Sequence, residues 1–177
     1  MRITSDGRVG INTTGPSVAL GITGRGLATE GFATGGPDIA EAILVSDLTL
    51  EPGDVVVADP AHKETVTKSS TPYQTSVAGI VSTDPGYIMY PSEGMAQNRS
   101  VRVNERLLAL AGRVPTRVTN ENGAILPGDL LTTSSSAGRA MKFSLLTFNG
   151  TETAQELAAK LNENEKRRSS IIAKSLG

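Results

Sequence analysis

Asp38 and Glu41 are two closely spaced carboxylates, of a residue type that can do acid–base chemistry. They sit in the tetrapeptide Asp38-Ile39-Ala40-Glu41, after a Gly35-Gly36-Pro37 break and before a short apolar strand at residues 42–45. A carboxylate held in a folded site can give or take a proton as general acid or base. At the start of a strand it can equally cap a turn, and the residues alone leave both uses open. Few side chains could join them. The chain has no cysteine and a single histidine, His62. Disulfides and cysteine-based zinc sites are therefore excluded, and a histidine-based triad or metal site lacks its second ligand. His62 reads as a surface residue, and neither a metal nor a cofactor is expected.

The elements around the carboxylates are β-type. The strand at 42–45 runs to the turn Glu51-Pro52-Gly53-Asp54 and a second strand at 55–58. Pro52 presets φ for the second position of a tight turn and Gly53 can take φ > 0 at the third. The β-branched run Val55-Val56-Val57 is a buried-strand signal. The scheme recurs at Ile125-Leu126-Pro127-Gly128-Asp129-Leu130-Leu131-Thr132. Two copies of one hairpin corner predict a mainly β protein with a small β-barrel or β-clip-like body.

Residues 60–72 read as a polar hairpin or sheet edge, with Lys63, Glu64 and Lys68 on a solvated face. Residues 73–83 read as a strand with Val77, Ile80 and Val81 in the core and a bulge or close approach at Gly79. Asp84-Pro85-Gly86 is a turn. Residues 87–100 read as a long loop whose Tyr87, Met89, Tyr90 and Met95 give it an adaptable apolar character, suited to a subunit contact. Strands are expected at 101–103 and 107–118, the latter central because it is the most apolar run. A hairpin turn at Asn120-Glu121-Asn122-Gly123 suits type I′, and another strand is expected at 139–148.

The period then changes. Thr153-Ala154-Gln155-Glu156 is a capping box, and a helix is predicted over residues 154–168. Leu157 and Leu161 share one face at i,i+4, suited to packing on the body or around a three-fold axis. Glu156–Lys160 and Glu163–Arg167 are favourable pairs at the same spacing. A short strand at 170–174 follows.

Residues 1–36 form a Gly-rich N-terminal arm or shaft, distinct from a β-rich head at 37–177. Short β-type pieces at 7–12, 18–22 and 26–29 are too short to make a stable sheet alone. They are expected to pair with copies from neighbouring chains, through residues such as Val9, Ile11, Leu20 and Ile22. The chain has 177 residues and a net charge of −1, so no sequence-wide pull toward nucleic acid or an anionic membrane surface is expected. No run approaches the ~18 apolar residues of a membrane span, and no apolar signal-peptide core is present. Aromatics make up 3% of the chain, which argues against a sugar-binding platform.

Two stretches resemble known modules. Asp6-Gly7-Arg8-Val9-Gly10-Ile11-Asn12-Thr13-Thr14-Gly15-Pro16-Ser17 is similar to a joint found in phage tail fibres. From Asp38 onward, the order Asp38–Glu41, Leu50–Val57, Val77–Gly86, Ala109–Val118, Gly123–Thr132, Ala140–Lys142 and Ile171–Leu176 resembles the autoproteolytic, intramolecular-chaperone domain (glutamic peptidase type) of phage tail appendages and tail fibres. That resemblance implies a homotrimer, built in a host cytoplasm and destined for the virion. In the best-known member, the preneck appendage, it also implies a cut before the Asp, with the Glu as catalytic carboxylate. Carried onto this chain, the scissile bond is Pro37–Asp38 and Glu41 is the acid/base. The cutting member has Ser where this chain has Pro37, which supplies no hydroxyl nucleophile and has a fixed φ.

The expected function is thus a structural virion protein, a homotrimeric tail fibre or appendage component in contact with other virion proteins. The alternatives are a capsid decoration protein, a self-cleaving chaperone domain, and a binder of host-surface glycan.

Overall fold

The computed structural model describes residues 1–26, 28, 29, 35–90 and 101–177. It is mainly β, with a curled half-barrel sheet, two three-stranded sheets and one C-terminal helix. Residues 91–100, which include Met95 and most of the long loop expected after Tyr87, lie outside the described residues, as does Leu27.

The N-terminal strands β1 (Arg2–Ile3), β2 (Val9–Ile11) and β3 (Leu20–Ile22) pair with one another, in the order β1-β2-β3. These pieces thus find partners within one chain. The pairing is possible because Gly10 and Gly21 lie side by side in the parallel β2–β3 register. A Cβ at Gly21 would come within 2.9 Å of Pro16, and one at Gly10 would strike Thr13. The connection between the two strands therefore folds back over that face, and only glycine admits it.

The curled sheet is organised by β4 (Asp38–Val45). One edge pairs antiparallel with β9 (Glu105–Gly112) from Asp38↔Gly112 to Leu44↔Glu105. The other edge carries two parallel neighbours: β8 (Tyr87–Met89) beside Ile39–Glu41, and β6 (Thr65–Lys68) beside Leu44 and Val45. Beyond β6 come β5 (Val55–Ala58) and β7 (Val77–Ile80). The sheet curls until Val81, just past β7, bridges Leu108 of β9.

Val45, Leu50, Val56, Val66, Val81 and Leu108 fill the inside of the curl. A second cluster of Val55, Ile80, Leu131 and Ala140 joins the curled sheet to the sheet β11-β10-β12, made of β10 (Leu130–Thr133), β11 (Ala140–Lys142) and β12 (Ala173–Lys174). Strand β5 thus buries both faces, Val56 into the first cluster and Val55 into the second. That is why its sequence is a continuous β-branched run rather than an alternation. Each such side chain contributes roughly 2 kcal/mol of apolar burial.

Several expected elements move. Of the hairpin or edge expected over residues 60–72, the hairpin forms, β5 pairing antiparallel with β6, but β6 is no edge and lies between β5 and β4. Its one large apolar side chain, Val66, is buried, and Lys68 reaches the buried Asp54. The central position expected for residues 107–118 goes to β4, and β9 ends at Gly112, where φ is +120°. Residues 101–103 form no strand, and the strand expected over 139–148 is confined to β11. Asn120–Gly123 does turn, with Gly123 N donating to Asn120 O at 2.8 Å. It joins no hairpin, because Val118 meets Ala140 in a parallel bridge, and Asn122 lacks the positive φ of type I′.

Helix α1 (Ala154–Arg168) has the predicted bounds and capping box. Thr153 Oγ1 accepts from Glu156 N, and Thr153 N donates to the Glu156 carboxylate at 2.8 Å. The Glu163–Arg167 pair forms at 3.2 Å. Lys160 instead turns back to Glu152, at 2.6 Å, because Glu156 is engaged at the cap. The helix buries Asn164 and not its leucines. Asn164 donates to Leu146 O and accepts from Leu146 N, pinning the preceding coil to the helix.

Candidate functional site

The peptide between Pro37 and Asp38 is tightly enclosed. Pro37 O accepts from Arg113 N at 3.3 Å, and Asp38 O accepts from Gly86 N at 2.8 Å. Gly112 lies against the bond: a Cβ there would fall 2.5 Å from both Asp38 Cα and Pro37 O. Gly36 likewise packs on the Asp84–Gly86 turn so closely that a Cβ would collide with its backbone. Sequence signals for both contacts were present: a glycine inside the apolar run at 107–118 and a glycine in the break before residue 38, each marking close approach of backbone.

Asp38 and Glu41 are not brought together. They are three positions apart on one extended strand, so alternation sends their side chains to opposite faces. Burial follows that rule: Asp38, Ala40 and Ala42 are buried, whereas Ile39 is exposed and Glu41 is half-buried. The register irregularity here belongs to β9, which carries Leu110 as an extra residue between the pairs Ile39↔Ala111 and Ala40↔Ala109. Strand β4 keeps its alternation through the site. Asp38 is 5% exposed and its Oδ2 has no hydrogen-bond partner. A buried oxygen without a partner carries a desolvation cost.

Pro37 opens onto a groove of about 650 Å³ between residues 109–116 and the C-terminal residues 172–177. Its floor is aliphatic, with Ile80, Ile125, Leu131 and Ile172. Two cations, Arg113 and Lys174, line it together with no acidic side chain. Neither cation is seen from sequence alone as part of any site, since nothing local brings residue 113 beside residue 174.

His62 is exposed, and its Nδ1 lies 3.0 Å from Asp59 Oδ2. Asp59 is held down to about 2, first by the Ser46 hydroxyl, then by Ala61 N–H and His62. Among the described residues no group of three or more acidic or histidine side chains is placed to hold a metal ion. No helix among them is long and apolar enough to cross a membrane.

The residues expected at subunit contacts fall in three places. Val9, Ile11, Leu20 and Ile22 share one face of the N-terminal sheet with Ile3, opposite the face that Pro16 and Thr13 cover. Ile11, Leu20, Ile22 and Ile3 are exposed there and Val9 is half-buried. Tyr87 and Met89 are exposed on β8, beside the exposed Ile39 of β4, and Tyr90 is half-buried. Leu157 and Leu161 are 41% and 51% exposed on the helix, so the stripe expected to pack is not covered by the described residues.

No protein-family model, curated protein or solved structure matches this chain.

Proposed function

We propose that this chain is a structural protein of a virion, a homotrimeric component of a phage tail fibre or appendage. The observation that carries the oligomeric part is the N-terminal sheet. Three strands of two or three residues make a single layer, and among the described residues nothing covers the face bearing Ile3, Ile11, Leu20 and Ile22. A sheet this small is not stable with its apolar face in water and needs a second layer. Copies of the same face, gathered round an axis, supply one. The uncovered Leu157–Leu161 stripe of α1 is a second surface of the same kind. The virion assignment rests on the order of sequence motifs, from the fibre-like joint at residues 6–17 to the Ile171–Leu176 ending.

The test is the solution mass of the intact protein by light scattering, with the chain mass taken on the same sample. Three uncut chains is the expected result. A protein that stays at one chain at tens of micromolar would remove the trimeric reading. Ile11→Asp with Ile22→Asp is expected to reduce the assembly, because it places charge on the face that must be buried.

A further inference from the structure

The curled sheet has two open edges. Strand β8 pairs with β4 on one side, and no described strand pairs with its other side. Strand β9 pairs with β4, and its outer edge is met only near Leu107 and Leu108, by Ser82 N and Val81. Gly79 of β7 approaches Ala109 O, and from Leu110 to Gly112 no described strand pairs with that edge. Rows of unpaired backbone N–H and C=O groups are templates for a strand from another chain.

The two edges are complementary in size and in charge. Strand β8 presents large side chains, Tyr87 and Met89, at 58% and 39% exposure. The facing stretch of β9 is small, Ala109, Ala111 and Gly112 around Leu110, and borders the aliphatic groove. At the groove, Arg113 and Lys174 are exposed and form no ion pair among the described residues. Asp84, just before β8, is exposed and likewise forms none among them. The groove beside β9 thus carries cations and the start of β8 an acid.

We propose that the outer edge of β8 in one copy seats against residues 109–112 of β9 in the next, with Asp84 meeting Arg113. This continues the curled sheet from chain to chain. The two surfaces are different, so the contact is heterologous and closes only as a ring. The proposal rests on the trimeric reading above and gives its head domains their interface.

The chain has no cysteine, so introduced ones report alone. Met89→Cys is combined with either Ala109→Cys or Ala111→Cys and oxidised. Within one chain β4 separates these positions, and a disulfide needs Cα atoms within about 7 Å, so any bond joins two chains. Bands of two and three chains on a non-reducing gel are expected from at least one pairing, and a single-chain band from each single variant. In parallel, Asp84→Arg and Arg113→Glu should each raise the concentration needed for assembly about tenfold, and the double reversal should restore it. A three-chain mass with no cross-linked bands, or a double reversal that restores nothing, overturns this interface and leaves the trimer intact. A wild-type mass of one chain overturns both.

Discussion

Asp54 and Asp129 occupy the same place in two copies of one corner. Each follows Pro-Gly, and its carboxylate accepts from the backbone N–H three residues earlier, Glu51 at 3.0 Å and Leu126 at 2.8 Å. Each also takes a lysine from the next strand, Lys68 at 3.3 Å and Lys142 at 2.9 Å. The registers agree as well. Val56 faces Lys68 and Leu131 faces Lys142, so each lysine sits opposite the second residue after the aspartate. The copies differ in burial. The Asp54 side chain is 2% exposed and also binds Arg117, whereas that of Asp129 is 21% exposed.

That difference sets the first prediction. Asp54→Ala removes the shared partner of Lys68 and Arg117 and the acceptor of a turn N–H, and should cost about 3 kcal/mol or more. Asp129→Ala breaks a more open pair and should cost clearly less. Urea denaturation of the two variants checks the ratio, and equal losses would mean that burial does not separate the corners.

Gly112→Ala is expected to be among the most damaging single methyl additions in the head. Its φ is +120°, and the added carbon would sit 2.5 Å from Asp38 Cα and Pro37 O. Strain plus backbone displacement predicts a loss of about 3 kcal/mol. Gly123→Ala, where no atom lies within 4 Å of the added carbon, should cost only the φ strain of about 1 kcal/mol.

Asn164→Ala leaves Leu146 N and O without their partners and should loosen the coil from α1. The expected loss is about 1–2 kcal/mol, from two half-buried backbone groups deprived of hydrogen bonds. Hydrogen exchange at the amide of Leu146 should quicken in the variant before that of β5 does. Unchanged exchange at Leu146 would mean that the coil is held by something else.

Acid should weaken the start of α1. Glu152 is held down to about 2, first by Lys160 and then by the N–H of Asn149, from an ordinary value of 4.5. Glu156 is also lowered, first by the N–H of Thr153. A depressed carboxyl contributes stability above its unfolded value and loses it as pH falls through the folded one. Helix stability is therefore expected to hold above about pH 4.5 and decline toward pH 2, followed by circular dichroism at 222 nm. Glu152→Gln should flatten that decline. An unchanged profile in the variant would remove Glu152 from the account.

The intact mass of the chain should remain that of one uncut polypeptide after prolonged incubation. Asp38 and Glu41 face opposite sides of β4, and Pro37 offers no hydroxyl. Fragments divided between Pro37 and Asp38, and lost in Glu41→Gln, would show that the opposed faces are no barrier to cleavage.

Sequence by itself determined what depends on neighbours along the chain. The α1 bounds followed from Thr153 and Glu156, whose reciprocal bonds close within one turn. The two Pro-Gly-Asp turns were equally local, because Gly53 and Gly128 supply the positive φ that each turn needs. The Val55–Val57 strand was legible from side-chain type alone. The tertiary structure decided everything that depends on which strand lies beside which. It placed polar β6 inside the sheet, where Lys68 answers the buried charge of Asp54. It gave the central position to β4, where the small Ala40 and Ala42 are buried, and placed the more apolar β9 beside it. It paired the N-terminal strands within one chain, through two glycines that register side by side. It also turned Asp38 and Glu41 to opposite faces once their residues became a regular strand. Register and strand order arise from contacts far apart in sequence, and local pattern carries no record of them.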